Sequence, residues 1–433
     1  MSLPDLSPAR FAVVSFCLAA ILLTGACSGR SDIGSGEWRF ETSTDGLITT
    51  VRTLSGSVWK GPARLVEEAS IGTADGPEEH LIGQVEALTA GNDRIYLIDR
   101  VGPIIRAYDL EGNYLTDIGR AGQGPGEYVR PRALAVHPSD GRLVIRDGRG
   151  HRFNVYSPAG EYLMSWPYVT SVSYGYSMRF TDTGVLLTPG ILNPFEPIDE
   201  WQRALIGFGP EGATGDTIAI PDFDYEQPVV TNVEEGGGMN ASAVPFAPDV
   251  VWNSGHNGVI AAGISESFRI TLSFPGGRQL VIERACEPVR VQTEEKEWWR
   301  ALTAAGMRVA QPGWVWNGPP IPDTKPAYSD FILDPTGRLW VQRPGPGRTH
   351  EDREPDPEAN PFQSYLDPYW SDAPIMDVFD FEGRYLGEVI VPDGFRLGLG
   401  IAEPYIRGET IVACCDSPEG FPTVKRFRLV IDE

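Results

Sequence analysis

Apolar and polar positions alternate along residues 132–166 in short runs separated by turn residues: RALAVH, PSDG, RLVIRD, GRGH, RFNVYS, PAGE and YLMSW. Runs of about five residues with side chains on alternate faces have the length and period of β-strands. Pro, Asp and Gly between them supply the turns. The stretch therefore predicts a four-stranded antiparallel meander, and the same text recurs along the chain. Residues 85–118 give VEALTA, RIYLID, IIRAYD with LEG, and NYLTDIG, while FILDPTGRLWV at 331–341 joins IMDVFDFEGRYLGEVIV at 375–391. The turn ahead of the fourth strand reads Asp109-Leu-Glu-Gly112, Ser157-Pro-Ala-Gly160 and Asp380-Phe-Glu-Gly383. After one intervening residue it is followed by Tyr114, Tyr162 or Tyr385.

Two more divergent copies occupy residues 176–221 and 249–283, and a last one occupies 397–431 as LGLGIA, ETIVAC and KRFRLVI. That copy holds only three strands, and a sheet without its outer strand leaves an apolar edge open. Residues 63–71, ARLVEEASI, are the candidate for the missing strand. IGTADGPEE from Ile71 resembles IGRAGQGPGE from Ile118, which ends a fourth strand and crosses to the next copy. The expected fold is all-β: a six-bladed β-propeller of four-stranded antiparallel blades, the last blade closed by the N-terminal strand. Residues 61–433 form the ring, with three excursions. Residues 222–248 contain Gly236-Gly237-Gly238. Residues 286–327 hold TEEKEWWRALTAAG, a short helix begun by Thr293, and then a Pro-rich stretch. Residues 343–372, RPGPGRTHEDREPDPEANP and beyond, read as a polar, mobile loop between the second and third strands of the fifth copy.

The first residues change the picture of where the ring resides. Residues 11–26, FAVVSFCLAAILLTGA, carry no charge and follow Arg10. The run is shorter than the ~20 residues of a membrane-spanning helix, so residues 1–26 read as a signal peptide. The run ends in Leu23-Thr24-Gly25-Ala26-Cys27, which resembles the lipobox of bacterial lipoproteins. The resemblance implies lipidation of Cys27, and the alternative is plain secretion with a free Cys27. Residues 27–60 then read as anchor cysteine and tether, given Ser-Gly-Arg-Ser and Gly34-Ser35-Gly36.

Composition narrows the chemistry. Lys and Arg number 36 against 59 Asp and Glu, a net charge of -23 that repels phosphate backbones and sets nucleic acid aside as a partner. Past Cys27 the cysteines are Cys286, Cys414 and Cys415, with neither disulfide-framework nor zinc spacing. The pair in IVACC reads as small buried hydrophobes, a strained vicinal disulfide being the alternative. The five histidines show no pairwise metal spacing, and no Gly-x-Ser-x-Gly elbow occurs.

With these repeats and this order of segments, the chain resembles the NHL-related six-bladed β-propeller lipoproteins of bacterial envelopes. Its most specific pieces are IGRAGQGPGEYVRP and DPTGRLWV. The resemblance implies a cell-envelope location on the outer membrane or the periplasmic face of the inner one, and a binding or scaffolding role without a catalytic motif. It implies no cofactor, and a protein, peptide or glycan as partner. An alternative is a calcium-assisted hydrolase or lactonase. Asp99 and Asp147, ending second strands, would then face the funnel as in related six-bladed lactone hydrolases, whereas an Asp there more commonly caps a turn. His151, between Arg149 and Arg152, reads as a turn histidine. Trp298, Trp299, Trp314, Trp316 and Tyr328 cluster in or near the helix-bearing excursion. They either stack on a ligand or plug the excursion onto the ring.

Overall fold

The computed structural model describes residues 38–91, 93–167, 177–197, 200–234, 236–397 and 402–431. The signal segment and Cys27 lie outside the described residues. Six four-stranded antiparallel units follow one another in sequence, spanning 85–117, 131–167, 179–219, 250–284, 330–390 and 405–430. The last draws its outer strand from the N-terminal side. Within each unit successive strands pair as a meander (A to D from the channel outwards), and the inner A strands pack around one axis in chain order.

The hydrophobic core is divided in a way that only a closed ring produces. Six clusters of buried side chains each join two neighbouring blades, including the last with the first, where Ile71, Ile95 and Leu97 meet Val412 and Val424. Alternation within each strand sends one set of side chains to the preceding blade and the other set to the next. This explains why the A, B and C strands read as apolar on both faces, as in Leu143–Asp147, buried throughout.

Three strands of the N-terminal segment hold the rim. β1 (Arg39–Asp45) and β2 (Ile48–Ser55) form a hairpin, and β2 runs parallel to the outer strand of the fourth blade from Ile48 opposite Gln279 to Thr53 opposite Arg284. Residues 39–55, expected to be part of a tether, are thus paired strand. β2 is rich in β-branched residues, and it places Val51 and Thr53 inward while Arg52 pairs with Glu283 at 2.7 Å. The chain next bonds to the outer strand of the fifth blade, Val58 N–H to the Tyr385 carbonyl and Trp59 N–H to the Leu386 carbonyl. β3 (Ala63–Ile71) then pairs antiparallel with Pro422–Val430, from Arg64 opposite Val430 to Ile71 opposite Val424, and completes the sixth blade. The inner strand of that blade, expected within 397–402, is Tyr405–Arg407; residues 398–401 lie outside the described ones.

The repeated turn has a backbone reason. In each of the five blades whose third and fourth strands are continuous, a glycine sits at the turn with φ between +78° and +89°: Gly112, Gly160, Gly212, Gly277 and Gly383. Each donates its N–H to the carbonyl three residues back, a conformation glycine adopts without steric penalty.

Cys414 and Cys415 are free thiols in the cores beside the last blade. Burial pushes both thiols up to about 12, so no thiolate is present at neutral pH. Neither is expected to react with iodoacetamide at pH 8 until the protein is unfolded, as mass spectrometry of the labelled peptides would report.

Candidate functional site

In a meander, strands A and C run one way and B and D the other. The D-to-A crossovers and B-to-C turns therefore share one end of the ring, and the A-to-B and C-to-D turns share the opposite end. All three excursions fall at the first end. Residues 222–248 and 286–327 are D-to-A crossovers, and 343–372 is the B-to-C connection of the fifth blade. β1 also begins there, because Arg39 pairs with Ser55 at the end of β2 that lies beside Arg284.

Asp99 and Asp147 occupy equivalent positions at this end and are buried. Asp99 accepts the N–H groups of Gly83 at 2.8 Å, Gln84 at 3.2 Å and Val101 at 3.0 Å. Asp147 accepts those of Val129 at 3.0 Å and Arg130 at 2.8 Å. Each carboxylate ties the incoming crossover to its blade, and among the described residues no group of three or more His, Cys, Asp or Glu is arranged to hold a metal ion. Asp147→Ala leaves the part-buried Val129 and Arg130 amides without this acceptor and is expected to cost about 1 kcal/mol per stranded donor, measured by denaturant unfolding. Unchanged stability would contradict the role. His151 is exposed in the B-to-C turn of the second blade with φ +48°.

The excursions fold on one another. α1 (Thr293–Ala310) is longer than the short helix expected from residue 293, and its first turn is fixed by Glu295, which accepts the Gln292 N–H at 3.2 Å. The Val229–Val233/Met239–Ala243 hairpin lies against it, Asn232 Nδ2 donating to the Met307 carbonyl at 2.7 Å. The loop expected to be mobile instead begins and ends as ladder, out to Thr349 opposite Trp370, and carries α2 (Pro361–Leu366) against α1. Val230, Val244, Ala304, Met307, Trp314 and Ile321 form a seventh core, separate from the ring.

The aromatic residues divide accordingly. Tyr328 is no surface residue: it is fully buried between the fourth and fifth blades, its hydroxyl donating to the Arg269 carbonyl at 3.1 Å. Trp298 and Trp314 are buried as well, their indole N–H groups donating to the carbonyls of Pro355 at 2.9 Å and Thr231 at 2.7 Å. Trp316, half-buried, donates to Gly318 and Pro319, and Trp299 packs edge-on against Phe246 and Trp298. These rings plug the excursions onto one another. Exposed apolar side chains of the layer include Val309 at 78%, Phe362 at 75%, Val315 at 74% and Met239 at 73%, and Val309 lines a cavity of about 380 Å³ between α1, the hairpin and Tyr365 of α2.

A second cavity, about 460 Å³, lies in the central channel toward the A-to-B turns and is lined by inner strands around the ring. Arg179 of the third blade and Glu403 of the sixth meet in it at 2.5 Å. Glu86 pairs with Arg132 beside it. Asp330 accepts the Phe331 N–H at 2.7 Å; enclosure by protein, with the Glu403 charge adding, pushes its carboxyl up to about 7.

Residues 75–168 match the model of the DUF5128 family, described as a 6-bladed beta-propeller, in agreement with six sheets joined by six interblade cores. The fold is a six-bladed β-propeller. No curated protein matches the chain significantly. Among solved structures, a protein of Bacteroides fragilis is similar at 11% identity and TM-score 0.45, covering 86% of this chain and 96% of that one. Virginiamycin B lyase from Staphylococcus aureus is similar at 9% identity and TM-score 0.40, covering 80% and 95%. A gluconolactonase from Xanthomonas campestris is similar at 14% identity and TM-score 0.39, covering 86% and 92%.

Sequence reading missed the propeller's channel residues. Arg179, Asp330 and Glu403 come from three blades and are separated by more than seventy residues at each step, so only ring closure brings them together. The one available signal was charge within inner strands that are otherwise apolar.

Proposed function

We propose that this chain is a lipid-anchored, extracytoplasmic propeller acting as a non-enzymatic binding module, whose protein or peptide partner docks on the face built from the three excursions. The observation that carries the reading is the convergence of 222–248, 286–327 and 343–372 on one end of the ring, where Val309, Phe362 and Met239 stay exposed and Val309 lines a groove. A rigid ring with loops gathered at one end is a common platform for recognition, and exposed apolar anchors beside a groove suit a protein or peptide segment. Three of the four tryptophans use their indole N–H groups inside the layer, which leaves fewer aromatic platforms for a glycan. Asp99 and Asp147, the ligands a calcium-assisted hydrolase would need, are engaged with backbone amides, and this disfavours that second reading. The anchor itself rests on the lipobox-like sequence ending in Cys27.

The test places a photo-cross-linking amino acid at Val309 or Phe362, and at Glu111 in the C-to-D turn of the first blade at the opposite end as a control, in cells that make the protein. A discrete adduct from the first two positions and none from Glu111 is the expected result. Equal labelling at all three, or no adduct, would overturn the docking face. Loss of palmitate incorporation in Cys27→Ser tests the anchor separately.

A further inference from the structure

The channel cavity holds an ion pair that comes from opposite sides of the ring. Arg179 opens the inner strand of the third blade, and Glu403 stands two residues ahead of the inner strand of the sixth. In a six-membered ring these blades face each other across the axis. Their 2.5 Å contact therefore bridges the channel instead of lying along its wall. Both side chains keep about a quarter of their surface exposed, 28% and 25%, so a solute in the cavity can reach them. The bridge thus presents a carboxylate on one side and a guanidinium on the other. Leu134, Phe180, Ile332 and Ile406 supply apolar wall around it.

Charge balance decides which solute suits this arrangement. A ligand with a single charge that opened this bridge would leave either Arg179 or Glu403 without its partner, which costs more in a part-buried cavity than in water. A zwitterion opens the bridge and hands each partner an opposite charge, adding no net charge to the cavity. A guanidinium can grip a carboxylate through two N–H groups, and a carboxylate accepts readily from an ammonium with its three donors. About 460 Å³ lies within the ~300–1,000 Å³ typical of small-molecule sites.

We propose that the channel is a binding site for a small zwitterion of amino-acid or dipeptide size, its carboxylate on Arg179, its ammonium on Glu403, and its apolar side chain against Phe180 and Ile332. The site lies toward the end of the ring opposite the excursions, so it stands or falls independently of the docking face.

Isothermal titration of the purified protein tests this with leucine and leucyl-leucine as zwitterions, leucinamide as the cation alone and N-acetylleucine as the anion alone. At least one zwitterion is expected to bind with Kd of about 100 µM or tighter, with both single-charge analogues weaker by about tenfold or more. The double variant Arg179→Met with Glu403→Met removes the bridge without leaving a lone charge. It is expected to melt like the parent and to lose affinity by more than about tenfold. Absence of binding by both zwitterions, analogues that bind as well as leucine, or full affinity in the double variant would each overturn the proposal. Should the double variant fail to fold, the analogue series decides alone.

Discussion

A chain that starts at Thr73, without β3, is expected to lose cooperative thermal unfolding altogether. β3 supplies the whole outer strand of the sixth blade, paired over Arg64 to Ile71, and buries Ala63 and Ile71 completely. Removing it deletes a ladder of hydrogen bonds worth about 1 kcal/mol each together with buried apolar groups worth about 2–5 kcal/mol for each large side chain. It also exposes a free edge at the ring's closure. The sum is comparable with the ~5–15 kcal/mol that holds a domain folded. A chain that starts at Gly61 keeps β3 and loses only the β1–β2 hairpin and the Val58–Trp59 link, so it should still melt cooperatively, at a lower temperature. Calorimetry of the two truncations distinguishes them, and a normal transition in the shorter chain would contradict the role of β3.

The second large effect is expected in the excursion layer. The side chains of Lys325 and Glu295 are both fully buried, Nζ to Oε1 at 2.6 Å, and Lys325 also pairs with Asp372 at the start of the fifth blade's third strand. This contact joins α1, the Pro-rich stretch and the ring. Lys325→Met removes the ammonium and leaves a buried carboxylate, a change of about 3–5 kcal/mol. Adding Glu295→Leu removes the stranded charge and should recover much of the loss. Denaturant unfolding reports the cost, and protease cleavage within 286–327 reports where it falls. A single variant as stable as the parent would contradict the burial of the pair.

The ring was legible in the sequence because its rules are local and repeated. The glycine turns and the alternating runs recur at blade spacing, and the likeness between the texts after Ile71 and Ile118 marks β3 as a fourth strand. The β1–β2 hairpin was not legible. Gly34, Ser35 and Gly36 gave that stretch the composition of a tether, and only Val51 and Thr53 turn inward, too few to register as a strand pattern. The excursions left two readings open. Five aromatic residues in one region suit either a ligand-stacking surface or a small core, and Trp298, Trp314 and Tyr328 went inside. The Arg179–Glu403 bridge depends on two residues 224 positions apart, and no local rule reports such a pair.

Ring closure by β3 is tested most directly by a disulfide between Ser70→Cys and Lys425→Cys, which face each other in the ladder. Cys414 and Cys415 stay protonated in the core and do not compete. Mild oxidation should link positions 70 and 425 almost fully in the native protein and leave Ser70→Cys with Val430→Cys unlinked. No link at 70 and 425, or equal linking in both variants, would show that the N-terminal strand does not complete the last blade.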